Sequence, residues 1–203
     1  MDYSALILFT IATSITPGPN NILILASGVN YGVRRSLPHL AGIDIGFPLM
    51  VIAVGLGAGI VFRQFPVLHT VLKLVGVFYL LYLAYKVATA AAKEIKPEDK
   101  KPFTFIQAAL FQWVNPKAWI MAIGAVVTFT SASDNYFLQV ATISASFILF
   151  GTPCTCAWLL FGASLKNFLS DPTRIRIFNV VMALLLVASL IPTIHELFVQ
   201  YVN

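Results

Sequence analysis

Residues Ile15-Thr16-Pro17-Gly18-Pro19-Asn20-Asn21 stand in the middle of an apolar run that extends from Tyr3 to about Val29. A membrane-crossing helix takes about 20 mostly apolar residues, so the run is long enough to span. Proline removes a backbone donor and frees a carbonyl, and lipid holds no water to satisfy either group. The stretch therefore predicts a helix broken inside the bilayer, a feature that persists only against protein or a watery cavity. A second interruption, Asn115-Pro116-Lys117, falls at an equivalent depth in the apolar run from Phe103 to about Ser133. Pro17 and Pro116 lie 99 positions apart in a chain of 203 residues.

Composition agrees with a bilayer protein. Charged residues make up 10% of the chain and hydrophobic residues 59%, with a mean hydropathy of +0.86. Soluble domains carry about 25% charge, so this chain cannot coat a water-facing surface. An ordinary soluble enzyme, a disordered protein and a nucleic-acid module are excluded, although the pI is about 9.3. Met1-Asp2-Tyr3 lacks the basic n-region of a signal peptide, so the first apolar segment is expected to be retained. Two cysteines, Cys154 and Cys156, form no disulfide framework.

Cutting the sequence at charge clusters and turn residues leaves six spans. They are Tyr3 to Val29, Pro38 to Arg63, Val67 to Ala92, Phe103 to Ser133, Tyr136 to Leu165 and Ile177 to Ile194. Pro38 suits a first helical turn, where no N–H is needed. Residues 93–102 form a charged linker between residues 1–92 and residues 103–203, which together make one membrane domain. Nine basic residues occupy the loops after spans one, three and five: Arg34, Arg35, Lys93, Lys96, Lys100, Lys101, Lys166, Arg174 and Arg176. The opposite side holds Arg63 and Lys73. By the positive-inside rule the basic loops are cytoplasmic and both termini lie outside.

Three spans per half is an odd number, so two like halves must be inverted in the membrane. The second spans echo each other as Gly46-Phe47-Pro48 and Gly151-Thr152-Pro153, offset by 105 positions. Paired Gly/Pro interruptions in corresponding segments of two halves point to a transporter's binding site. The expected fold is an all-α membrane protein of two inverted three-helix repeats, with helices 1 and 4 broken. The half-helices that begin after Pro19 and after Pro116 would turn free N–H groups and a positive dipole end toward an anion such as a carboxylate. The plainer reading is that these prolines only kink tightly packed helices.

These residues also carry a family likeness. Ile15-Thr16-Pro17-Gly18-Pro19-Asn20, the glycines Gly28, Gly32, Gly42 and Gly46, Tyr79-Leu80-Leu81-Tyr82-Leu83 and Asn115-Pro116-Lys117-Ala118 together resemble the LysE/RhtB family of amino-acid exporters, over essentially the whole chain. The resemblance implies an inner-membrane protein of bacteria that exports amino acids or close derivatives, driven by the proton gradient. It does not choose the amino acid.

Candidate translocation residues are Thr16, Pro17, Gly18, Pro19, Asn20, Asn21, Asp44, Asn115, Pro116 and Lys117. A charge at mid-span costs about 2.5 to 3.5 kcal/mol even on the lenient insertion scale, so Lys117 needs a partner or water. It either meets the substrate carboxylate or a proton-linked gate, or caps carbonyls exposed at the helix break. Asp44, the only acid well inside a span, is placed about 9 Å beyond Pro38 at 1.5 Å per residue, nearer the cytoplasmic mouth than the midplane. It reaches toward water, pairs with Lys117, attracts the substrate ammonium or carries the coupling proton. Asn20, Asn21 and Asn115 can bind carbonyls or ligand, and Thr16 can cap the second half-helix.

Other polar residues read more plainly. Tyr79, Tyr82 and Tyr85 share a helix face and suit an interfacial belt better than a substrate cage. His39, His69 and His195 fall near span ends. Lys73 and Lys86 extend to the interfaces. Cys154 and Cys156 could serve a thiol or metal protein but have no further ligands at recognisable spacing. No cofactor is called for, and the nucleotide loop GxxxxGK[ST] is missing. Expected partners are a small-molecule substrate and membrane lipid, with no nucleic acid. A homo-oligomer stays open, because Gly55-Leu56-Gly57-Ala58-Gly59 permits close helix approach within one chain or between chains. The alternative to a transporter is a passive channel for small polar solutes.

Overall fold

In a computed structural model, residues 1–58, 64, 66–89, 101–131, 135–169 and 171–202 are described. The described chain is helical throughout. Helix α1 (Tyr3–Ile15) starts at Asp2, whose carboxylate accepts the Ala5 N–H at 3.1 Å. It stops at Thr16, which is extended, and α2 (Pro19–Tyr31) begins three residues later behind an extended Gly18. The expected break is therefore present, and Pro19 occupies the first helical position, where its missing N–H costs nothing. The second break is equally local. Helix α5 (Phe105–Phe111) tightens into a 3-10 turn, Gln112–Val114, then Asn115 turns extended and α6 (Pro116–Phe129) starts. Asn115 accepts the Lys117 backbone N–H through Oδ1 at 3.1 Å, an N-cap.

Helix α3 (Val33–Ala53) continues into a π turn, Val54–Ala58. It starts five residues before the expected Pro38, which sits inside it. An exposed proline in the second turn gives up a single bond, to the Arg34 carbonyl, so the helix tolerates it. Helix α4 is Pro66–Thr89. Helices α7 (Tyr136–Ser146) and α8 (Thr152–Phe168) run on through a π turn, Phe147–Gly151. Helix α9 (Pro172–Ala188) also begins five residues earlier than expected, because Asp171 caps it by accepting the N–H groups of Thr173 and Arg174. Arg174 and Arg176 thus lie in the exposed first turns of a helix and not in a loop. A last helix, α10 (Ile191–Val202), follows a short turn.

Among the described residues, three continuous segments are long and apolar enough to cross a membrane: Val33–Gly57, Tyr136–Leu165 and Pro172–Val199. The two broken runs supply shorter apolar halves, Tyr3–Ile15 with α2 and Phe105–Val114 with Pro116–Phe129. The outer surface is apolar, with Ile120 and Val127 exposed by 73% and 71%, which suits lipid and not water.

Two large buried clusters make up most of the core. One cluster joins Leu6, Met50, Val51, Ala122, Ile143 and Phe147, from α1, α3, α6, α7 and the π turn before α8. Another joins Ile22, Leu25, Leu80, Phe111 and Leu186, from α2, α4, α5 and α9. Helix α2 crosses α8 backbone to backbone. A Cβ on Gly28 would stand 2.5 Å from the Leu159 carbonyl oxygen, and one on Gly162 would strike that of Leu25. Only glycine at both positions permits this approach. The breaks lie between the two clusters.

Candidate functional site

A helix end inside lipid must have its orphan carbonyls satisfied by other groups. At the end of α1 each one has a partner. Ser14 O accepts from Asn21 Nδ2 at 2.7 Å and Ile15 O accepts from the Trp158 indole at 3.1 Å. Thr16 O accepts from Asn21 Nδ2 at 2.9 Å and from Lys117 Nζ at 2.6 Å. The same ammonium donates to Thr16 Oγ1 at 3.0 Å and to Pro17 O at 3.4 Å. The Thr16 hydroxyl in turn donates to Thr13 O at 2.9 Å. Thr16 therefore belongs to the end of α1, whereas Gly18 is the cap residue of α2 and offers no side-chain bond.

The two breaks meet. Lys117, from the start of α6, reaches across to the end of α1. Its stem passes over Gly18, where a Cβ would stand 2.6 Å from Lys117 Cδ. A second link joins Asn20 and Gln112. Asn20 Nδ2 donates to Gln112 Oε1 at 2.8 Å, and Gln112 Nε2 donates to Asn20 Oδ1 at 3.2 Å and to Ala108 O at 2.9 Å. Gln112 is wholly buried. It was not among the residues expected at the site, although a primary amide inside the apolar run from Phe103 was a usable signal.

Gly18, Asn20, Asn21, Asp44, Asn115 and Lys117 line one cavity of about 510 Å³, counted with its open side. Thr16 and Pro17 frame it through their contacts with Lys117, while Pro19 and Pro116 serve as first residues of the helices behind it. Thr155, Phe47, Met121 and Phe147 also contribute to the wall. None of these four was singled out in the sequence, because apolar and threonine side chains in a span carry no mark of the cavity they face.

Asp44 is deeper than its distance from Pro38 implied. Helix α3 starts at Val33, so Asp44 stands about 16 Å into it at 1.5 Å per residue. Its carboxyl lies near the Thr155 and Thr152 side chains of α8. Asp44 and Lys117 share the cavity without forming an ion pair, one of the alternatives the sequence left open: the lysine is held by the end of α1. The site thus offers a cation and a carboxyl group across one space, beside a helix N-terminus and a helix C-terminus.

Other residues fall away from it. His39, expected near a span end, is buried and pairs through Nδ1 with Ser27 Oγ at 2.8 Å, its ring against Phe103. His195 is exposed on α10, and the side chains of His69 and Lys73 lie outside the described residues. Tyr79 stacks near Tyr82 and Phe111, and Lys86 lies over the Tyr82 ring. Cys154 donates its thiol to Phe150 O at 3.3 Å. Of those described, none lines the cavity.

Comparison with known proteins follows from this geometry. The family model described as LysE type translocator matches residues 11–189. The cysteine/O-acetylserine efflux protein of Escherichia coli (strain K12) is 32% identical over 185 residues, covering 91% of this chain and 93% of that protein. The proteins of the same name from Shigella flexneri and Shigella sonnei (strain Ss046) match to the same extent. No solved structure matches.

Proposed function

The chain belongs to the LysE-type translocator family, a family of amino-acid exporters and not of enzymes, and from that premise we propose a proton-coupled secondary transporter whose substrate site is the cavity between the two broken helices. The observation that carries this reading is the contact of Lys117 with Thr16 and Pro17, which draws both breaks to one polar space. The two halves of the chain act as inverted three-helix repeats, and export proceeds by exposing the cavity to each side of the bacterial inner membrane in turn. The nine basic residues counted on one side of the sequence, some of them at helix ends such as Arg34, Arg35, Arg174 and Arg176, face the cytoplasm and the termini face outward.

In the cavity the substrate carboxylate meets the half-helix N-termini around Pro19, Asn20 and Asn115, with Lys117 as the neighbouring positive charge. The ammonium meets Asp44 or the carbonyls at the break, and Asp44 carries the coupling proton. Cysteine and O-acetylserine are the first substrates to test, since the relatives are named for their efflux. The test uses proteoliposomes loaded with a labelled amino acid. Uphill efflux on imposing a pH gradient is the expected result. Flux that runs only downhill would identify a channel, and no flux of any amino acid would sink the reading.

A further inference from the structure

Lys117 occupies a receptor built for a primary ammonium. Three oxygens receive its three protons: Thr16 O at 2.6 Å, Thr16 Oγ1 at 3.0 Å and Pro17 O at 3.4 Å. Two of them are carbonyls at the C-terminal, negative end of α1. An amino acid carries the same R–NH3+ group as the lysine. The N-terminal, positive end of α2 begins at Pro19, beyond a cap residue that has no side chain. A place for an ammonium and a place for a carboxylate thus adjoin across the break, as the two charges adjoin on an α-amino acid.

We propose that the oxygens of Thr16 and Pro17 are the ammonium subsite of the substrate, that Lys117 fills this subsite when the cavity is empty, and that the resulting exchange selects zwitterions. This deepens the reading that the cavity binds an amino acid and rests on it. The incoming ammonium takes the three oxygens, and the displaced lysine passes to the substrate carboxylate beside the α2 N-terminus. No covalent bond or proton need change hands. A plain amine would displace Lys117 with no anion to receive it, leaving two ammonium groups side by side. An N-acylated amino acid would bring an anion but nothing to replace the lysine on its oxygens. Asp44 does not relieve the first case, because it forms no ion pair with Lys117, whose ammonium donates to the Thr16 and Pro17 oxygens instead. Gly18 makes the arrangement possible, since a Cβ there would stand 2.6 Å from the lysine stem.

The test uses the whole protein in proteoliposomes and labelled O-acetylserine at mildly acid pH, where its acetyl group stays on oxygen. Flux is competed with a matched pair, S-methylcysteine and its decarboxylated amine, 2-(methylthio)ethylamine. Wild type is expected to prefer the amino acid by at least about a hundredfold, since juxtaposed like charges are strongly disfavoured. Lys117→Met empties the subsite, and the preference is expected to fall to about tenfold or less. Gly18→Ala, which pushes the lysine stem aside and keeps every charge, should lower the preference in the same direction and decides the matter if Lys117→Met does not fold. The proposal is overturned if the wild type takes the amine as readily as the amino acid. It is equally overturned if the folded variant that transports keeps the wild-type preference. Absence of O-acetylserine flux through the wild type, with efflux of other amino acids intact, would change the substrate and leave the same competition to be run on that flux; absence of all amino-acid flux would overturn both the proposal and the function it rests on.

Discussion

Asn20 and Gln112, 92 positions apart, exchange two amide hydrogen bonds of 2.8 and 3.2 Å and so tie the start of α2 to the 3-10 turn before the second break. Every partner on either side chain is accounted for by the other and by Ala108 O. Removing one member strands the other in a buried place. Asn20→Leu or Gln112→Leu alone is expected to cost about 1 to 3 kcal/mol, read as a lower thermal midpoint in detergent. The exchanged pair, Asn20→Gln with Gln112→Asn, should recover much of that loss. Full additivity of the two swaps would show that the amides do not act as a unit.

Asp44→Asn keeps the size of the side chain and its place beside Thr152 and Thr155, and removes the charge. Downhill exchange of a labelled amino acid is expected to continue, while uphill efflux driven by a pH gradient falls by about tenfold or more, in line with the loss of a positioned proton carrier. Transport with unchanged rate and pH dependence would remove Asp44 from the coupling step.

Gly28→Ala places a Cβ 2.5 Å from the Leu159 carbonyl oxygen and 2.9 Å from the Ala163 nitrogen, both backbone atoms that cannot turn aside. The expected loss is about 1 to 3 kcal/mol from overpacking. Gly124→Ala is the control, because the nearest atom to its Cβ is a Phe9 ring carbon at 3.8 Å. Thermal midpoints of the two variants should differ clearly; equal values would show that α2 and α8 can separate without penalty.

Asp171 lies outside the spans, and the N–H groups of Thr173 and Arg174 hold its carboxylate below the usual range. A lowered folded-state pKa stabilises the protein above the unfolded value and ceases to do so as pH falls through the folded value. Asp171→Ala is therefore expected to melt lower than wild type at neutral pH, with the gap closing in acid. A gap that persists unchanged below that range would mean that the cap does not act through its charge.

The parts of the fold that were legible in advance rest on local chemistry. A proline joined to glycine or asparagine in an apolar run is a strong local break, so the breaks at Pro17 and Pro116 could be placed before any packing was known, whereas the lone Pro38 and Pro48 are carried inside α3. Helix starts were less legible. Pro38 read as a first turn, yet α3 begins at Val33, and that shift of more than a turn buries His39 and brings Asp44 to the cavity. Arg174 and Arg176 read as loop because they are charged, but their exposure in the first turns of α9 lets a helix carry them. Gln112 escaped notice because its partners, Asn20 and Ala108, matter only once the halves are packed.

By itself, the order of residues determined that the chain is a bundle of apolar helices, that two of them are split, and that a cation and an acid lie within the spans. Each of these follows from backbone bonding and from the cost of charge in lipid, which act over a few residues. Tertiary structure alone decided how those charges are used. Lys117 and Asp44 attract each other on paper, but the carbonyls at the end of α1 take the lysine, and the aspartate stays beside the threonines of α8. A contact between positions 101 apart depends on how whole helices pack, and that is set by the summed fit of the core, including a missing Cβ at Gly18.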